Sequence, residues 1–559
     1  MRGLTRFFPV LMWSVSILCP VLLKAQNSDA PKNVSNTYFL KNCTLVSQPG
    51  VINRGHSVII RDGLIAETGP GVRQPFDAQV ISCDSLYVYA GFIDPYSNTG
   101  ITKPENKERP KAKDPGNPPS DVAGIMPDLN AATLFNPSDK SVEEMRSAGF
   151  GISHTLPHGL MLPGQSSIFL LGDGPADRML VRTASAQNFQ FEVSRGVYPS
   201  TIIGVMAKFR DLFKNASQGL AYEEKYKINP AGLPRPDQSR ETKALYPVVS
   251  KSVPLYFLAQ HTKDVHRAFA MKEELGFDMV LAEVRQGWHY ADKIKAQNIT
   301  TLLSLNIPEP EKKDSTAKTT DVSKEKESFE KKREESRQNY LTQASLFEKK
   351  GIRFAFSYKN VKTGDIHKNI RTLIKNGLSE SYALAALTTH PATILGISSM
   401  AGTVEKGKIA NLVITDKPIF DEKSRIKHVF VEGKKYDMAS QSKKPEVTKE
   451  KADPISGTWS YTVETPETPQ KGKIIISKSG EIYKVTVKDE TNSATDYEGV
   501  DVSGKEKNKL SFYINTSLDG NVKVDFSLSF EDKLFTGSVN AGHLGSYEIK
   551  GEKVAKPEN

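Results

Sequence analysis

Leu86-Tyr-Val-Tyr-Ala-Gly-Phe-Ile-Asp-Pro-Tyr-Ser-Asn98 is the stretch of this 559-residue chain that decides its fold. The run begins with apolar and aromatic residues and ends with the polar side chains of Asp94, Tyr96, Ser97 and Asn98. Such a sequence is typical of a buried strand in a parallel sheet or barrel, where polar groups collect at the carboxyl end. We therefore predict that it forms the first strand of a barrel and ends at the functional face.

Strands and helices alternate in the sequence beyond this run, most clearly between residues 254 and 305. Alternation with this spacing is typical of βα units, which build a (β/α) barrel. A charged stretch, Ser323–Glu335, predicts a solvated helix. The sequence predicts strands at Pro254–Ala259, Asp278–Ala282, Thr300–Leu305 and Ile352–Phe356, and helices at Asp264–Leu275, Ala291–Ala296, Leu341–Phe347, Ile366–Lys375 and Ser379–Leu387.

A shorter helix is predicted at Ser141–Gly149, with Ser141 as its amino-terminal cap. The strands Phe150–His154 and Ile168–Leu171 are predicted on either side of a loop at Pro157–Ser167, and we expect both to belong to βα units. Residues 103–121 are polar and rich in proline, which predicts an exposed loop over the barrel mouth.

Both ends of the chain have the pattern of β-structure. Residues 37–90 contain short β-type runs, and Arg61-Asp62-Gly63 predicts a tight hairpin turn because Asp-Gly accommodates positive φ. Residues 454–559 contain seven further runs with turns between them, beginning with Gly457-Thr-Trp459. This pattern predicts a separate all-β domain, either a lipocalin-like barrel or a sandwich, joined by a linker at residues 438–453.

Four segments resemble the amidohydrolase superfamily, and in particular its imidazolonepropionase-like enzymes. Gly91-Phe-Ile-Asp94 is similar to the family's first barrel strand, and Val58–Ala66 to the run ahead of the barrel. Thr388–Gly396 and Ala401–Asp416 are similar to the closing helix and to the strands that rejoin the first β-domain. The resemblance implies an α/β fold: a distorted TIM (β/α)8 barrel over residues 91–399 with a composite β-sandwich domain from residues 37–90 and 400–437.

The resemblance also implies a chemistry, the hydrolysis of carbon–nitrogen bonds other than peptide bonds. Family members hold zinc or another divalent metal, which lowers the pKa of bound water and polarises the carbonyl under attack. Their ligands are a His-x-His pair after the first strand and histidines after the fifth and sixth. An aspartate after the eighth strand is the general base.

This chain departs from the family at all of these positions. Tyr96 and Asn98 replace the His-x-His pair, and Leu258 stands at the end of the fifth strand. Glu283 or Val284 falls at the sixth, and Ser357-Tyr-Lys-Asn360 at the eighth contains no acid. Tyr and Asn are poor ligands for such a metal. We therefore interpret Asp94, Tyr96, Asn98 and Lys359 as vestigial residues of the barrel mouth, and we predict no metal ligand and no cofactor.

Other side chains remain candidates for binding a ligand. His154 and His158 flank the second strand, His261 follows the fifth, and Gln165 lies in a loop that resembles a mouth loop of the family. The alternative is that these residues lie in polar loops or cap helices, and that Asp94 bonds only backbone groups.

Three functions remain open at this point. The first is a non-catalytic descendant that binds a small-molecule ligand or a partner in the old cleft or through its C-terminal domain. The second is an active hydrolase with a rearranged or single-metal site built from His154, His158, His261 and Asp94. The third is a structural partner of a homologous active subunit. Whether the chain is an enzyme is not decided by its sequence, because fold alone does not establish function.

Composition excludes some classes of function. The chain is 38% hydrophobic and 25% charged, as an ordered globular protein is, and its net charge is +10. No basic motif with interleaved aromatic residues indicates a nucleic-acid partner. Cys43 and Cys83 both fall in the first β-rich segment, where they form either a disulfide or two buried thiols.

Residues 1–25 have the pattern of a secretory signal peptide. Arg2 and Arg6 precede an apolar run at residues 7–23, and Ala25 offers a small residue for cleavage. A retained amino-terminal anchor is the alternative. Loss of residues 1–25 lowers the net charge to +7, because Arg2, Arg6 and Lys24 leave with them. We expect a secreted or periplasmic protein with no membrane span after cleavage.

Overall fold

The computed structural model describes residues 37–104, 112–308, 323–438, 455–466, 468–479, 482–489, 496–503, 508–516 and 522–554. The chain forms two compact units that divide between Ala439 and Ser440. The predicted signal peptide lies outside the described residues, as does the predicted linker except for residue 438. Within the described ranges, no helix is long and apolar enough to cross a membrane.

Five strands begin the first unit. The predicted hairpin turn is present, because Asp62 and Gly63 both have positive φ, of 51° and 80°. Cys43 and Cys83 are both buried and carry free thiols, which decides between the two alternatives for them. The strands are β1 (Tyr38–Gln48), β2 (Val51–Arg61), β3 (Leu64–Gly69), β4 (Gln79–Ser82) and β5 (Tyr87–Ala90).

Eight further strands form a second sheet, in which each strand neighbours the next in chain order. The end of its last strand meets its first, where the Tyr358 amide donates a hydrogen bond to the Tyr96 carbonyl at 3.3 Å. The sheet is therefore a nearly closed barrel, as predicted. The strands are β6 (Phe92–Ser97), β7 (Phe150–Thr155), β8 (Gly164–Leu170), β9 (Leu180–Gln190), β10 (Leu255–Leu258), β11 (Met279–Val284), β12 (Thr300–Ser304) and β13 (Phe354–Ser357).

One barrel strand runs against the others. β8 pairs antiparallel with both β7 and β9, whereas every other neighbouring pair in the barrel is parallel. β7 and β8 therefore form a hairpin, and the expectation that both belong to βα units is wrong for this pair. The predicted loop also ends earlier than expected, because β8 already begins at Gly164.

Twelve α-helices belong to the described part of the first unit, most of them between barrel strands. They are α1 (Ser120–Ala123), α2 (Lys140–Ser147), α3 (Ala176–Met179), α4 (Ile202–Ile228), α5 (Arg240–Ala244), α6 (Tyr246–Val249), α7 (Thr262–Leu275), α8 (Ala291–Ala296), α9 (Ser323–Lys349), α10 (Ile366–Lys375), α11 (Glu380–Leu387) and α12 (Thr389–Ile394). Short 3-10 helices occur at Ala131–Thr133, Trp288–Tyr290 and Thr363–Asp365.

Two helices differ from prediction in detail. The cap of α2 is Asp139, whose carboxylate accepts a hydrogen bond from the Ser141 amide at 2.9 Å. Ser141 therefore lies inside the helix and is not its cap. The charged stretch from Ser323 and the predicted helix at Leu341–Phe347 are one helix, α9, which is exposed at residues 328–335 and buried at Tyr340, Leu341, Ala344 and Phe347.

After the barrel the chain returns to the first sheet through β14 (Leu412–Thr415), β15 (Ile426–Val431) and β16 (Lys434–Asp437). β14 pairs with β5, which gives one connected eight-stranded sheet built from both ends of the unit. Leu40 and Val58 share a buried apolar core with Leu412 and Phe430. This arrangement agrees with the composite β-domain expected from residues 37–90 and 400–437.

The barrel strands bury both of their faces, which is why they are almost continuously apolar. One face packs against the surrounding helices, as Phe257 and Leu281 do. The other face forms a separate small cluster inside the barrel. Its buried members are Tyr96, Leu156, Ala186, Tyr256, Leu258, Val280, Ala282, Leu302 and Ala355.

The second unit is an all-β domain of antiparallel strands. Its two terminal strands, β20 and β21, follow each other in the chain with only Gly499 between them, so the sheet closes on itself. The Gly499 amide donates to the Val485 carbonyl at 2.8 Å. The strands are β17 (Gly457–Val463), β18 (Gln470–Ser479), β19 (Ile482–Asp489), β20 (Asp496–Glu498), β21 (Val500–Ser503), β22 (Lys509–Thr516), β23 (Val522–Glu531), β24 (Leu534–Asn540) and β25 (Ser546–Lys553).

One end of this second barrel is filled by aromatic side chains. Trp459 is fully buried, and its ring meets Phe530 and Phe535 edge-on, with centroid distances of 4.9 and 5.7 Å. The Trp459 indole N–H donates to the Ile455 carbonyl at 2.9 Å. The closure of the sheet favours the barrel over the sandwich among the two predicted forms.

Candidate functional site

Asp94 lies at the centre of a buried polar cluster at the end of β6. Its carboxylate accepts hydrogen bonds from the Tyr96 amide at 3.0 Å, from the Ser153 hydroxyl at 2.8 Å, and from the hydroxyl of Ser97. Burial raises the pKa of Asp94 to about 6, although these hydrogen bonds act in the opposite direction. Asp94 thus binds side-chain hydroxyls as well as backbone, and it links the carboxyl-terminal halves of β6 and β7.

Tyr96 lies inside the barrel and does not face solvent. Its ring is stacked on Tyr256 of β10, with centroids 5.9 Å apart and planes at 14°. The Lys359 ammonium lies 5.8 Å from the centre of the Tyr96 ring and donates to the Gln190 side-chain oxygen at 3.2 Å. Burial lowers the pKa of Lys359, and the nearby Glu283 and Glu192 oppose that effect. An aromatic pair therefore occupies the barrel interior at the first of the two histidine positions.

Asn98 and His154 each bond to neighbouring protein groups. The Asn98 side-chain amide donates to the Leu156 carbonyl at 2.7 Å. His154 Nδ1 lies 3.0 Å from the Pro95 carbonyl, so it carries the proton there, and Nε2 lies 2.9 Å from the Ser185 hydroxyl. Burial lowers the pKa of His154 to about 4. Both nitrogens of this imidazole are therefore engaged, and the ring is neutral at pH 7.

The remaining candidates lie in different surroundings. His158 is half-buried and its Nε2 lies 3.1 Å from the Ile101 carbonyl, with its pKa lowered chiefly by burial. The Gln165 side-chain oxygen accepts from Asn130 at 3.4 Å, on β8. His261 is exposed at the amino-terminal cap of α7, and its amide donates to Asp264 at 3.3 Å. Each of these contacts fits a residue that caps a helix or bonds to a loop.

Glu283 is a second buried acid at the barrel mouth. Its carboxylate accepts from the Ser304 hydroxyl at 2.7 Å and from the Ser357 hydroxyl, and Arg285 lies 3.9 Å away. The residue is fully buried and its φ is +57°, at an irregularity in the pairing of β11 with β12. Burial raises the pKa of Glu283, while the serines and Arg285 act against that rise.

The order of the barrel strands fixes which residue stands at each ligand position. Leu258 ends the fifth strand, Glu283 lies at the end of the sixth, and Ser357 ends the eighth, in the register expected from the sequence. Leu258 carries no ligand atom, and the Glu283 carboxylate already accepts two hydroxyl hydrogen bonds. These residues, with Tyr96 and Asn98, do not fit a divalent metal, which requires several free imidazole, thiolate or carboxylate donors around one point.

The histidines elsewhere in the barrel do not supply a replacement. Among the residues that the structure describes, no three His, Cys, Asp or Glu side chains are placed to hold a metal ion together. His154, His158, His261 and Asp94 are all described, and no three of them lie together as ligands in this structure. Whether the protein carries a metal in solution stays a prediction.

Several residues of the barrel interior were not identified from the sequence. Four of them contact the residues already named. Tyr256 contacts Tyr96, and Gln190 contacts Lys359. Ser153 bonds to Asp94, and Ser304 bonds to Glu283. The one available signal was the polar content of Gln187-Asn-Phe-Gln190 within an otherwise buried strand. Which of these polar residues face the barrel interior depends on how the strands close, and a single sequence does not give that.

Comparison with known proteins agrees with this architecture. The model of the amidohydrolase family matches residues 260–436. An amidohydrolase from Thermotoga maritima MSB8 has 20% sequence identity and a TM-score of 0.59, over 72% of this chain and 100% of that one. More distant structures include molinate hydrolase, at 12% identity and a TM-score of 0.41 over 72% and 95% of the two chains. An adenosine deaminase from Xanthomonas campestris with bound zinc has 12% identity and a TM-score of 0.40 over 71% and 92%. A search of curated proteins finds no match.

The fold is therefore a distorted TIM barrel with a composite β-domain, followed by a separate all-β unit. The amidohydrolase family model matches residues 260–436, and the fold of the first unit is similar to that of the Thermotoga maritima amidohydrolase. A shared fold does not carry an activity with it, because the chemistry depends on the groups at the strand ends.

Proposed function

We propose that the protein is a non-catalytic ligand-binding protein built on the amidohydrolase fold. The stacked pair of Tyr96 and Tyr256 carries this proposal, because it packs the barrel interior at the first position of the family's ligand set. A metal-dependent hydrolase needs an ion with an open coordination position for water. In this barrel, Asp94, His154 and Glu283 instead hydrogen-bond to neighbouring protein groups, as polar groups in a packed core do.

Metal analysis and an activity assay test this proposal. We expect the purified protein to carry less than a tenth of an equivalent of zinc or manganese and to leave cyclic amides intact. One tightly held equivalent together with hydrolysis would instead favour the rearranged hydrolase. In that case Asp94→Asn and His154→Gln should each abolish the activity, and an activity that survives both changes arises outside the barrel mouth.

The C-terminal barrel offers a cavity for a ligand. The cavity has a volume of about 720 Å³ and lies at the end opposite the Trp459 cluster. Val463, Val487, Phe526 and Val539 supply much of its apolar lining. Cavities of roughly 300–1,000 Å³ with mostly apolar walls are typical of small-molecule sites. The lining favours an apolar ligand whose polar end reaches the tyrosines and Asp489.

Two neighbouring residues of β24 provide a matched test of this cavity. Val539 is buried and lines the cavity, whereas Ser538 is exposed and faces away from it. We expect the fluorescent probe 1-anilinonaphthalene-8-sulfonate to bind the protein, and Val539→Trp to weaken that binding at least tenfold. Ser538→Trp should leave it unchanged. Equal effects of the two changes, in proteins with unchanged β-sheet circular dichroism, would contradict a ligand site in this barrel.

The protein is proposed to act outside the cytoplasm, in the periplasm or as a secreted protein. The basic and apolar pattern of residues 1–25 supports this proposal. Cell fractionation with amino-terminal sequencing should recover a chain that begins near Gln26 outside the cytoplasm. A chain that retains Met1 in the membrane fraction would indicate an anchor.

A different experiment tests whether the protein is a structural partner of an active subunit. Stable co-purification of a homologous hydrolase with this chain, at fixed stoichiometry, would support that role over ligand binding.

A further inference from the structure

A pocket rich in arginine lies at the carboxyl edge of the first barrel. Its volume is about 220 Å³, and it is formed by the segments that follow β10, β11 and β12 together with one side of α9. Because these three strands are parallel, the segments after them meet at the same edge, which is the edge where barrels of this kind bind ligands. We call it the arginine pocket, and the residues used here are His261, Arg285, Trp288, Arg333 and Arg337.

The charged side chains in the described lining of the arginine pocket are all basic. Three guanidinium groups line it, and none of its described lining residues is Asp or Glu. Two described acids lie close to Arg285 and Arg337. Glu283 is buried 3.9 Å from Arg285, and its carboxylate also accepts hydrogen bonds from Ser304 and Ser357. Glu334 contacts Arg337 at 3.1 Å but its side chain is 62% exposed, so solvent screens much of its charge.

Buried N–H groups gather at the same place. The described residues contain ten buried side-chain polar atoms without a hydrogen-bond partner, and three of them belong to Arg285, Trp288 and Arg337. All three are N–H donors, Nε of each arginine and Nε1 of the indole. Burying a donor without an acceptor costs about 1–3 kcal/mol. Three such donors on one pocket therefore point to an acceptor that binds there.

The amino-terminal end of a helix also favours an anion in this pocket. α7 begins at Thr262, directly after His261 in the pocket wall, and it is 14 residues long. The amino-terminal end of a helix carries partial positive charge, which favours an anion nearby. Asp264 in the first turn accepts a hydrogen bond from the His261 amide at 3.3 Å and is paired with Arg267 at 2.8 Å, so the helix end contributes less than the arginines do.

We propose that the arginine pocket binds a small oxyanion, a carboxylate or phosphate group, between Arg285 and Arg337 and beside the indole of Trp288. Guanidinium groups suit both anions because their planar N–H donors match the paired oxygens. The small volume favours a ligand of few heavy atoms. This site is distinct from the Tyr96–Tyr256 interior and from the C-terminal cavity, and it holds whether or not the barrel also catalyses a reaction.

Tryptophan fluorescence gives a local readout of binding. The chain has three tryptophans, at residues 13, 288 and 459, and Trp13 leaves with the predicted signal peptide. In the mature protein, Trp459→Phe makes Trp288 the only tryptophan while keeping an aromatic ring in the second barrel. Inorganic phosphate and succinate should each be titrated at low ionic strength, with Trp288 emission and calorimetry followed in parallel.

We expect saturable one-to-one binding of at least one probe, a change in Trp288 emission, and weakening as NaCl is raised. Arg285→Gln and Arg337→Gln should each weaken binding at least tenfold. Arg178→Gln is the matched control, because Arg178 is 71% exposed and faces Glu432 outside the pocket. Tighter binding of phosphate than of succinate identifies a phosphate ligand, and the reverse identifies a carboxylate.

Absence of binding by both probes, or binding that both pocket variants leave unchanged, would overturn the proposal. Arg285 lies close to the buried Glu283, so Arg285→Gln can disturb folding. Arg337→Gln on α9 is then the deciding variant, with circular dichroism to verify the fold. Neither outcome bears on the metal analysis above, so the two proposals fail independently.

Discussion

The ring of Tyr96 lies stacked on the ring of Tyr256 across the barrel, from the first strand to the fifth, with centroids 5.9 Å apart. Both side chains are almost completely buried. Tyr96 stands where the resemblance drawn from the sequence places the first histidine, and Tyr256 lies two residues before Leu258, which ends the fifth strand. The pair therefore belongs to the core of this barrel, and its contribution to stability can be measured.

Tyr96→Ala should lower the free energy of unfolding of the first unit by about 3–5 kcal/mol, because a buried ring is lost and a cavity remains. Tyr96→Phe keeps the ring and its stacking, and it should cost far less. Urea unfolding, followed by Trp288 emission in the Trp459→Phe background, measures both changes. Equal destabilisation by Ala and Phe would assign the effect to the hydroxyl and contradict a packing role for the ring.

Asp94 should make the first unit more stable as the pH falls from 7 to 4. Its folded pKa, raised by burial to about 6, exceeds its usual value of 3.8, so the folded state takes up a proton before the unfolded state does. The charged form therefore destabilises the fold above pH 6 by about 3 kcal/mol, and this penalty is relieved as the pH falls to about 4.

The non-titrating variant Asp94→Asn isolates this effect. We compare the unfolding free energies of the wild type and Asp94→Asn at each pH. As the pH falls from 7 to 4, that of the wild type should rise by about 3 kcal/mol relative to that of Asp94→Asn. A difference that stays constant with pH would show that Asp94 does not titrate in the folded protein within this range.

His154 should have the opposite pH dependence. Burial lowers its pKa from 6.5 to about 4, so the unfolded state takes up a proton first as the pH falls. Its neutral form is the stable one in the fold, and stability is lost between pH 6.5 and 4 by about 3 kcal/mol. His154→Gln, which does not titrate, should remove this loss in the same urea experiment. NMR titration of the His154 ring with a midpoint near 6.5 would contradict the prediction.

Local sequence was sufficient for most of the first unit. Runs such as Leu255–Leu258 and Thr300–Ser304 are buried on both faces, so their composition identifies them as strands without knowledge of their neighbours. The positions that correspond to the family's ligands were assigned by the resemblance, and the ends of these runs lie at the mouth because the strands are parallel. The family resemblance supplied the order of the strands and the return of residues 400–437 to the first sheet.

Features that depend on distant contacts could not be predicted in this way. The sequence Pro163-Gly164 has the composition of a loop, yet β8 begins there because the strand pairs on both sides with β7 and β9. Asp496–Ser503 is too polar and too short to indicate strands, and it is ordered by pairing with β19 and β22 on either side of Gly499. The partner of Tyr96 is fixed by the closure of the barrel, 160 residues along the chain.

The thiols of Cys43 and Cys83 offer a test of the composite β-domain. Both lie in the core shared by β1, β2, β5, β14 and β15, and burial raises the pKa of each to about 12. Thiolates are the reactive form, so neither cysteine should react with a disulfide reagent at pH 8 in the folded protein. In the mature chain without Cys19, two thiols should appear in 6 M guanidinium. Fast labelling of the folded protein would show that this core opens, and the absence of thiols after unfolding would show a disulfide.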